Sequence, residues 1–157
     1  MKEKLDYMEK QFDLEIDREE SLNKKAQFYL SIISIILSTF VFKAKDLKEI
    51  LEYELCNIPF FLISATILMI FVSLVFIILS MKIHGYARST TMKSVKQEMI
   101  NKTAVTEFQK HRIADIIIAI NNNSFINDSR AKKLQLSMLF MILGIALGCI
   151  FIVSIII

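Results

Sequence analysis

The stretch that decides the fold is residues 58–81, IPFFLISATILMIFVSLVFIILSM, which contains no charged side chain. An apolar run of about 20 residues, wound as a helix, matches the ~30 Å hydrocarbon core of a bilayer. Two further stretches also lack charge, Ala26–Phe42 and Leu134–Ile157. The chain is 54% hydrophobic and has only three glycines and one proline, which leaves few helix breaks. We therefore predict an all-α integral membrane protein with three transmembrane helices.

The charge pattern divides the chain into six segments. Residues 1–25 are predicted to form a cytoplasmic amphipathic helix continuous with transmembrane helix 1, residues 26–42. A short outer loop, residues 43–57, leads to transmembrane helix 2, residues 58–81. A basic helical cytoplasmic insert, residues 82–133, precedes transmembrane helix 3, residues 134–157. The first span is the shortest, with only 17 residues, and it is also the most polar, since it contains Gln27.

The orientation follows from the distribution of Lys and Arg, which accumulate on the cytoplasmic side of membrane proteins. Six of the 19 lie before residue 26, three lie in the loop 43–57, and ten lie in the segment 82–133. With three spans, the tail and the insert share one side of the membrane. This predicts a cytoplasmic N-terminus and a C-terminus on the far side.

The insert is predicted to contain a helix from about Ser89 to Asn121. The polar cluster Asn121–Ser124 is expected to end that helix. Asp128 or Ser129 would then cap a second helix that enters the third span.

One face of the first span carries polar side chains. On a helix with ~100° per residue, they form a narrow line that can border a pore when several copies surround an axis. The same residues could instead support packing between helices. The predicted pore-lining residues are Glu20, Asn23, Gln27, Ser31, Ser34 and Ser38.

Small residues mark the other two spans. Gly144 and Gly148 form a small-xxx-small pattern with Ser137 on the same face, which is typical of closely packed membrane helices. On the second span, small residues also recur every seven positions, at Thr66, Ser73 and Ser80.

Two basic clusters lie in the insert, which carries ten Lys or Arg against four acids. Arg is suited to phosphate, so a phosphate-bearing ligand is one interpretation. Contact with anionic lipid and the positive-inside bias are the other. The candidate ligand-binding residues, which a turn at the asparagines could bring together, are Lys110, His111, Arg112, Arg130, Lys132 and Lys133.

Catalysis is not indicated by the sequence. Only two histidines are present, and the CxxC, HExxH and GxSxG patterns are absent. We expect no enzyme activity, no catalytic or metal-binding residues and no cofactor.

The entry into the first span reads Asn23-Lys-Lys-Ala-Gln-Phe-Tyr-Leu30, and the entry into the last reads Asn127-Asp-Ser-Arg-Ala-Lys-Lys-Leu134. With the short outer loop and the helical insert, these entries resemble small transmembrane effectors of bacterial anti-phage defence, of the Pycsar, CBASS and Hailong type. The resemblance implies a homo-oligomer, with a tetramer as one option, in the bacterial inner (cytoplasmic) membrane. It also implies a nucleotide or short oligonucleotide signal and a nucleotidyltransferase partner in the same system.

The expected function is a homo-oligomeric channel or pore effector, gated from the cytoplasm, that disrupts the membrane when open. A non-conducting anchor or assembly protein that binds a cytosolic partner is the alternative. A holin-like protein is a third option.

Overall fold

The computed structural model describes residues 2–43, 45, 57–81 and 105–156. All the secondary structure within these ranges is helical, which confirms the predicted all-α class. The three helices are α1, Lys2–Phe42, α2, Asn57–Met81, and α3, Val105–Ile156. The predicted outer loop falls mainly, and the first part of the predicted insert wholly, outside the described residues.

Each of the three helices is long and apolar enough to cross a membrane. The mean hydropathy of the most apolar window is 1.6 for α1, 3.0 for α2 and 2.8 for α3. As predicted, α1 is the most polar span, and it continues without a break from the charged tail. Only 11% of its apolar window is buried in the protein, against 28% for α2 and 22% for α3. The surface of α1 is therefore the least covered of the three.

The predicted helix end at Asn121–Ser124 is wrong, and so is the predicted cap at Asp128 or Ser129. Helix α3 runs through all of these residues without interruption. Asparagine lowers helix propensity only weakly, and tertiary contacts override that preference. Here Asn123 and Asn127 are buried, so their amides face other protein groups and not the backbone of a turn. The turn that could have brought the two basic clusters together is therefore replaced by helix.

The chain divides into two compact units. Unit 1 comprises residues 1–23 and 83–129, and unit 2 comprises residues 24–82 and 130–157. Helices α1 and α3 each contribute a segment to both units, whereas α2 belongs to unit 2 alone.

The core of unit 2 follows a seven-residue repeat. On α2 the buried side chains alternate between isoleucine and a small hydroxyl residue, in steps of three and four. They are Ile63, Thr66, Ile70, Ser73, Ile77 and Ser80. On α3 the steps are also three and four, except for a last step of seven, and the buried residues are Arg130, Leu134, Ser137, Met141, Gly144 and Phe151. Such spacing is typical of helices that pack as a left-handed coiled coil.

Candidate functional site

The polar stripe of α1 comprises the six predicted pore-lining residues. Five of them are exposed and Asn23 is half-buried. The hydroxyls of Ser31, Ser34 and Ser38 each donate to the backbone carbonyl four residues earlier, at 2.7 to 3.0 Å. These bonds use the donor of each hydroxyl within its own helix and leave the oxygen on the outside as an acceptor. Ser31, Ser34 and Ser38 thus form a line of exposed hydrogen-bond acceptors within the stripe.

The stripe lies away from the face by which α1 packs in its own chain. That packed face carries Leu22, Ala26 and Ile33, which are 6%, 0% and 0% exposed. At ~100° per residue, its centre lies about 130° around the helix from the centre of the stripe. Among the residues that the structure describes, Gln27, Ser31, Ser34 and Ser38 therefore lie outside the core that α1 forms in its own chain.

Bulky apolar residues border the stripe on one side. Phe28, Ile35 and Phe42 are seven residues apart and are 62%, 68% and 91% exposed. Side chains of this kind suit contact with lipid or with another copy of the chain. The outer surface of α1 therefore combines a polar line with an apolar line next to it.

The second feature is the antiparallel interface between α2 and α3, which we name the seam. It consists of Thr66, Ser73 and Ser80 on α2 and Arg130, Ser137, Gly144 and Gly148 on α3. At its centre, the Ser73 hydroxyl donates to the Ser137 carbonyl at 2.8 Å, and the two hydroxyl oxygens lie 2.9 Å apart. Both side chains are fully buried.

The two glycines of the seam lie directly against α2. A Cβ added at Gly144 would come within 3.1 Å of Ile70 Cγ1 and 3.4 Å of Met69 Cβ. At Gly148 the nearest atom, Thr66 Cγ2, would be 3.5 Å away, which is ordinary contact. Of the two glycines, Gly144 is therefore the one with less space for a side chain.

Arg130 lies inside the seam and is only 3% exposed. Its Nε–H donates to the Ser80 carbonyl at 2.7 Å. This carbonyl is among the last four of α2, which have no partner within the helix. A cation at a helix C-terminus is also favoured by the helix dipole. Arg130, predicted as a ligand-binding residue, is placed where it completes the end of α2.

Unit 1 contains polar contacts between the N-terminal part of α1 and the first half of α3. Arg112 forms an ion pair with Glu9 at 3.2 Å. Asn127, which is fully buried, donates its amide to the Glu15 carbonyl at 3.0 Å and the Glu15 carboxylate at 2.9 Å. Buried asparagines of this kind select one register between paired helices.

Arg18 completes these contacts by pairing with Asp128 and, at 3.7 Å, with Glu15. The hydrogen bond to Asp128 raises the pKa of Arg18 further above its ordinary value. Because the pKa of Arg18 is raised in the folded protein, its contacts contribute stability. This contribution is fully present below the ordinary pKa of arginine and is lost as the pH rises through the raised pKa. Arg18 therefore keeps its charge at every physiological pH.

The remaining predicted ligand-binding residues are at or near the surface. Lys110 and His111 are exposed beside Arg112 on α3 in unit 1. Lys132 is exposed and Lys133 half-buried in unit 2, directly before the charge-free stretch. The first basic cluster thus belongs to unit 1 and the second to unit 2.

For unit 2, the sequence indicated Ser137, Gly144 and Gly148 as packing residues and showed the seven-residue spacing of Thr66, Ser73 and Ser80. For unit 1, it did not identify Glu9, Glu15 and Asn127 as contact residues. Extending that spacing to α3 gives Asn123, Arg130, Ser137, Gly144 and Phe151, all of which are buried. The seven-residue repeat was therefore the sequence signal that could have identified these buried positions.

No family model, curated protein or solved structure matches this chain. Within the part of the chain that the structure describes, no group of three or more His, Cys, Asp or Glu could hold a metal ion.

Proposed function

We propose that this protein is a homo-oligomeric membrane channel in which the polar stripe of α1 lines the pore. The observation that supports this proposal is the exposure of the stripe. In the seam the polar side chains are buried inside the chain, whereas on α1 they face outward from its packed side. Polar residues within a transmembrane segment generally face a protein interior or a water-filled cavity.

Several copies around an axis would place the stripe on a water-filled path. The outward hydroxyl oxygens of Ser31, Ser34 and Ser38 would then offer acceptors to a passing ion. A ring of Glu20 carboxylates at the cytoplasmic end would favour cations. The bordering line of Phe28, Ile35 and Phe42 would pack against the neighbouring copy or the lipid.

Gating from the cytoplasm is the second part of the proposal. The ligand is a nucleotide or short oligonucleotide, made by a nucleotidyltransferase partner during phage infection. Its phosphate would compete with Glu9 for Arg112, assisted by Lys110 and His111. Because α1 is a single helix, loss of the Glu9 contact would allow its N-terminal part to turn and would carry the stripe with it. The open channel would disrupt the bacterial inner membrane.

Conductance of purified protein in planar bilayers tests the pore. The double variant Ser34→Leu with Ser38→Leu should abolish the current, since it replaces two polar layers of the stripe with apolar ones. Ser154→Leu is the matched control, because Ser154 is an exposed serine of α3 whose hydroxyl also bonds its own helix. Full current in the double variant would refute the pore, as would a monomeric mass in mild detergent.

The ligand is tested by adding cyclic nucleotides and short oligonucleotides to the cytoplasmic side. Glu9→Gln should shift the response to lower ligand concentration, because it weakens the contact with which phosphate competes. Arg112→Gln should remove the response, whereas Lys10→Gln, an exposed lysine of α1, should not. Equal responses in all three variants would rule out this site.

A non-conducting anchor is the second candidate, and the surface of unit 1 favours it. Phe125 is 78% exposed and Ile118, seven residues earlier, is 58% exposed. A partner protein could cover them. A silent bilayer under every condition, with a defence phenotype lost in Phe125→Ser, would support the anchor over the channel.

A further inference from the structure

The outer side of α1 carries a polar band that extends the polar stripe toward the N-terminus. Before Glu20, polar positions continue in steps of three and four residues, and their side chains are all charged and exposed. These residues are Asp6, Lys10, Asp13 and Asp17. Because α1 is unbroken from Lys2 to Phe42, one side of a single helix is polar over most of its length.

Apolar residues border this band on both sides. On the first margin, positions recur every seven residues, and the large side chains are each more than half exposed. They are Tyr7, Leu14, Phe28, Ile35 and Phe42, with Ser21 as the polar member. The second margin lies two residues further along the chain and consists of Ile16, Asn23, Leu30 and Leu37. Residues two apart lie about 160° from each other around a helix, so the polar band separates the two margins.

Lipid cannot cover the margins in unit 1. Leu14 and Ile16 belong to this unit and are 51% and 43% exposed. They lie about 15 to 18 Å of helix before the charge-free stretch begins at Ala26, next to Asp13 and Asp17. In a chain inserted as proposed above, this part of α1 lies in water, where exposed apolar side chains of this size mark contact with protein. An apolar margin on each side of a charged band therefore needs a protein partner on each side.

We propose that the partner is a second copy of this chain, with the first margin of one copy packed against the second margin of the next. Each copy then contacts two neighbours through different surfaces, and such contacts close into a ring. The parallel α1 helices would form the inner wall of that ring, with the polar band toward the axis and away from lipid. The inference deepens the proposed function, because it rests on a homo-oligomer but not on conduction.

The two margins match each other layer by layer. In a ring with rotational symmetry, equal residues lie at the same height, so positions two apart differ by only about 3 Å. Ser21, the polar member of the first margin, then meets Asn23, the polar member of the second. Tyr7 meets Glu9, a carboxylate that can accept from the phenol. The remaining layers are apolar on both sides and pair Leu14 with Ile16, Phe28 with Leu30, and Ile35 with Leu37.

Disulfide cross-linking in vesicles tests the contact, in a background that carries Cys56→Ser and Cys149→Ser. The double variant Leu14→Cys with Ile16→Cys has one cysteine on each margin. On oxidation it should give a ladder of covalent multimers on a non-reducing gel. Each single variant should stay monomeric on the gel, because its cysteine meets an apolar side chain of the next copy and not a second cysteine.

Two further variants separate a specific contact from random collision. Leu14→Cys with Phe125→Cys is the matched control, because Phe125 is also exposed in unit 1 but lies on α3. It should give no ladder. Phe28→Cys with Leu30→Cys probes the margins in unit 2 and should give the same ladder as the first pair. Circular dichroism checks that each variant is folded.

Three outcomes would overturn the inference. Dimers of either single variant would indicate a two-fold contact, and an equal ladder in the Phe125→Cys control would indicate collision. Absence of a ladder from both margin pairs in folded protein would remove the contact. Because the gel is read without any current, a ladder from a silent protein would count against the pore and leave the ring supported. A conducting protein that forms no ladder would keep the channel and lose this interface.

Discussion

Serine side chains occupy two different environments in this protein. In the seam, Ser73 and Ser137 are fully buried and bond to each other across two helices. On α1, Ser31, Ser34 and Ser38 are exposed and bond only backward along their own helix. The residue type is the same, yet the first set holds one chain together and the second is presented to its surroundings. Composition alone does not separate a buried packing serine from an exposed one; the position of the packed face does.

The largest expected effect on the seam comes from a bulky substitution at Gly144, where an added Cβ would lie 3.1 Å from Ile70 Cγ1. Gly144→Phe should lower the free energy of unfolding by about 3 kcal/mol or more, because overpacking a tight interface forces neighbouring atoms apart. Thermal unfolding in detergent, followed by circular dichroism, measures the effect. Gly148→Ala is the control and should be close to neutral, since its new Cβ would meet Thr66 at an ordinary 3.5 Å. Equal stability of the two variants would contradict the close approach.

Arg130 gives the next largest expected effect. Arg130→Met keeps much of the volume but leaves the buried Ser80 carbonyl without its Nε–H, at a cost of about 2 kcal/mol. The same unfolding measurement applies, with the exposed Lys132→Met as control. If Lys132→Met were the more damaging of the two, Arg130 would not be the group that completes α2.

The serine pair at the centre of the seam should contribute less. Ser73→Ala removes the contact with Ser137, and hydrogen bonds between membrane helices are worth about 0.6 kcal/mol on average. The double variant with Ser137→Ala should cost little more than Ser73→Ala alone, because both changes remove the same contact. Fully additive losses in this double-mutant cycle would show that the two hydroxyls act independently.

The smallest effect on stability is expected for a serine of α1, in contrast to the buried serines of the seam. Ser31→Ala should change the free energy of unfolding by less than about 0.5 kcal/mol, as is usual for an exposed site. If the stripe lines a pore as proposed, the channel current should fall nonetheless, because the stripe loses one layer of acceptors. A destabilisation as large as that of Ser73→Ala would place Ser31 in a packed interface and remove it from the pore.

Much of the fold could be predicted from the sequence, because three charge-free stretches in a chain with few glycines and prolines have few alternatives to helices. The register between those helices could not be predicted from the sequence. Arg130 is an example, since its position among lysines indicated phosphate, and only the structure shows the Ser80 carbonyl as its partner. Asn123 is another, because three consecutive asparagines suggest a turn, whereas the structure buries Asn123 within a continuous helix. Local preference is readable from one sequence, but a partner far along the chain is not.

The unbroken repeat in α3 also determines which changes of length the protein can tolerate. Deleting one residue at Asn122 would rotate every later side chain by about 100° relative to the earlier ones. Arg112 and Asn127, which lie on either side of the deletion, could then not both keep their partners on α1. Deleting seven consecutive residues would return the later side chains to within about 20° of their original direction. Natural variants of this chain should therefore differ in α3 by whole heptads, and single insertions should be confined to the segments between the helices.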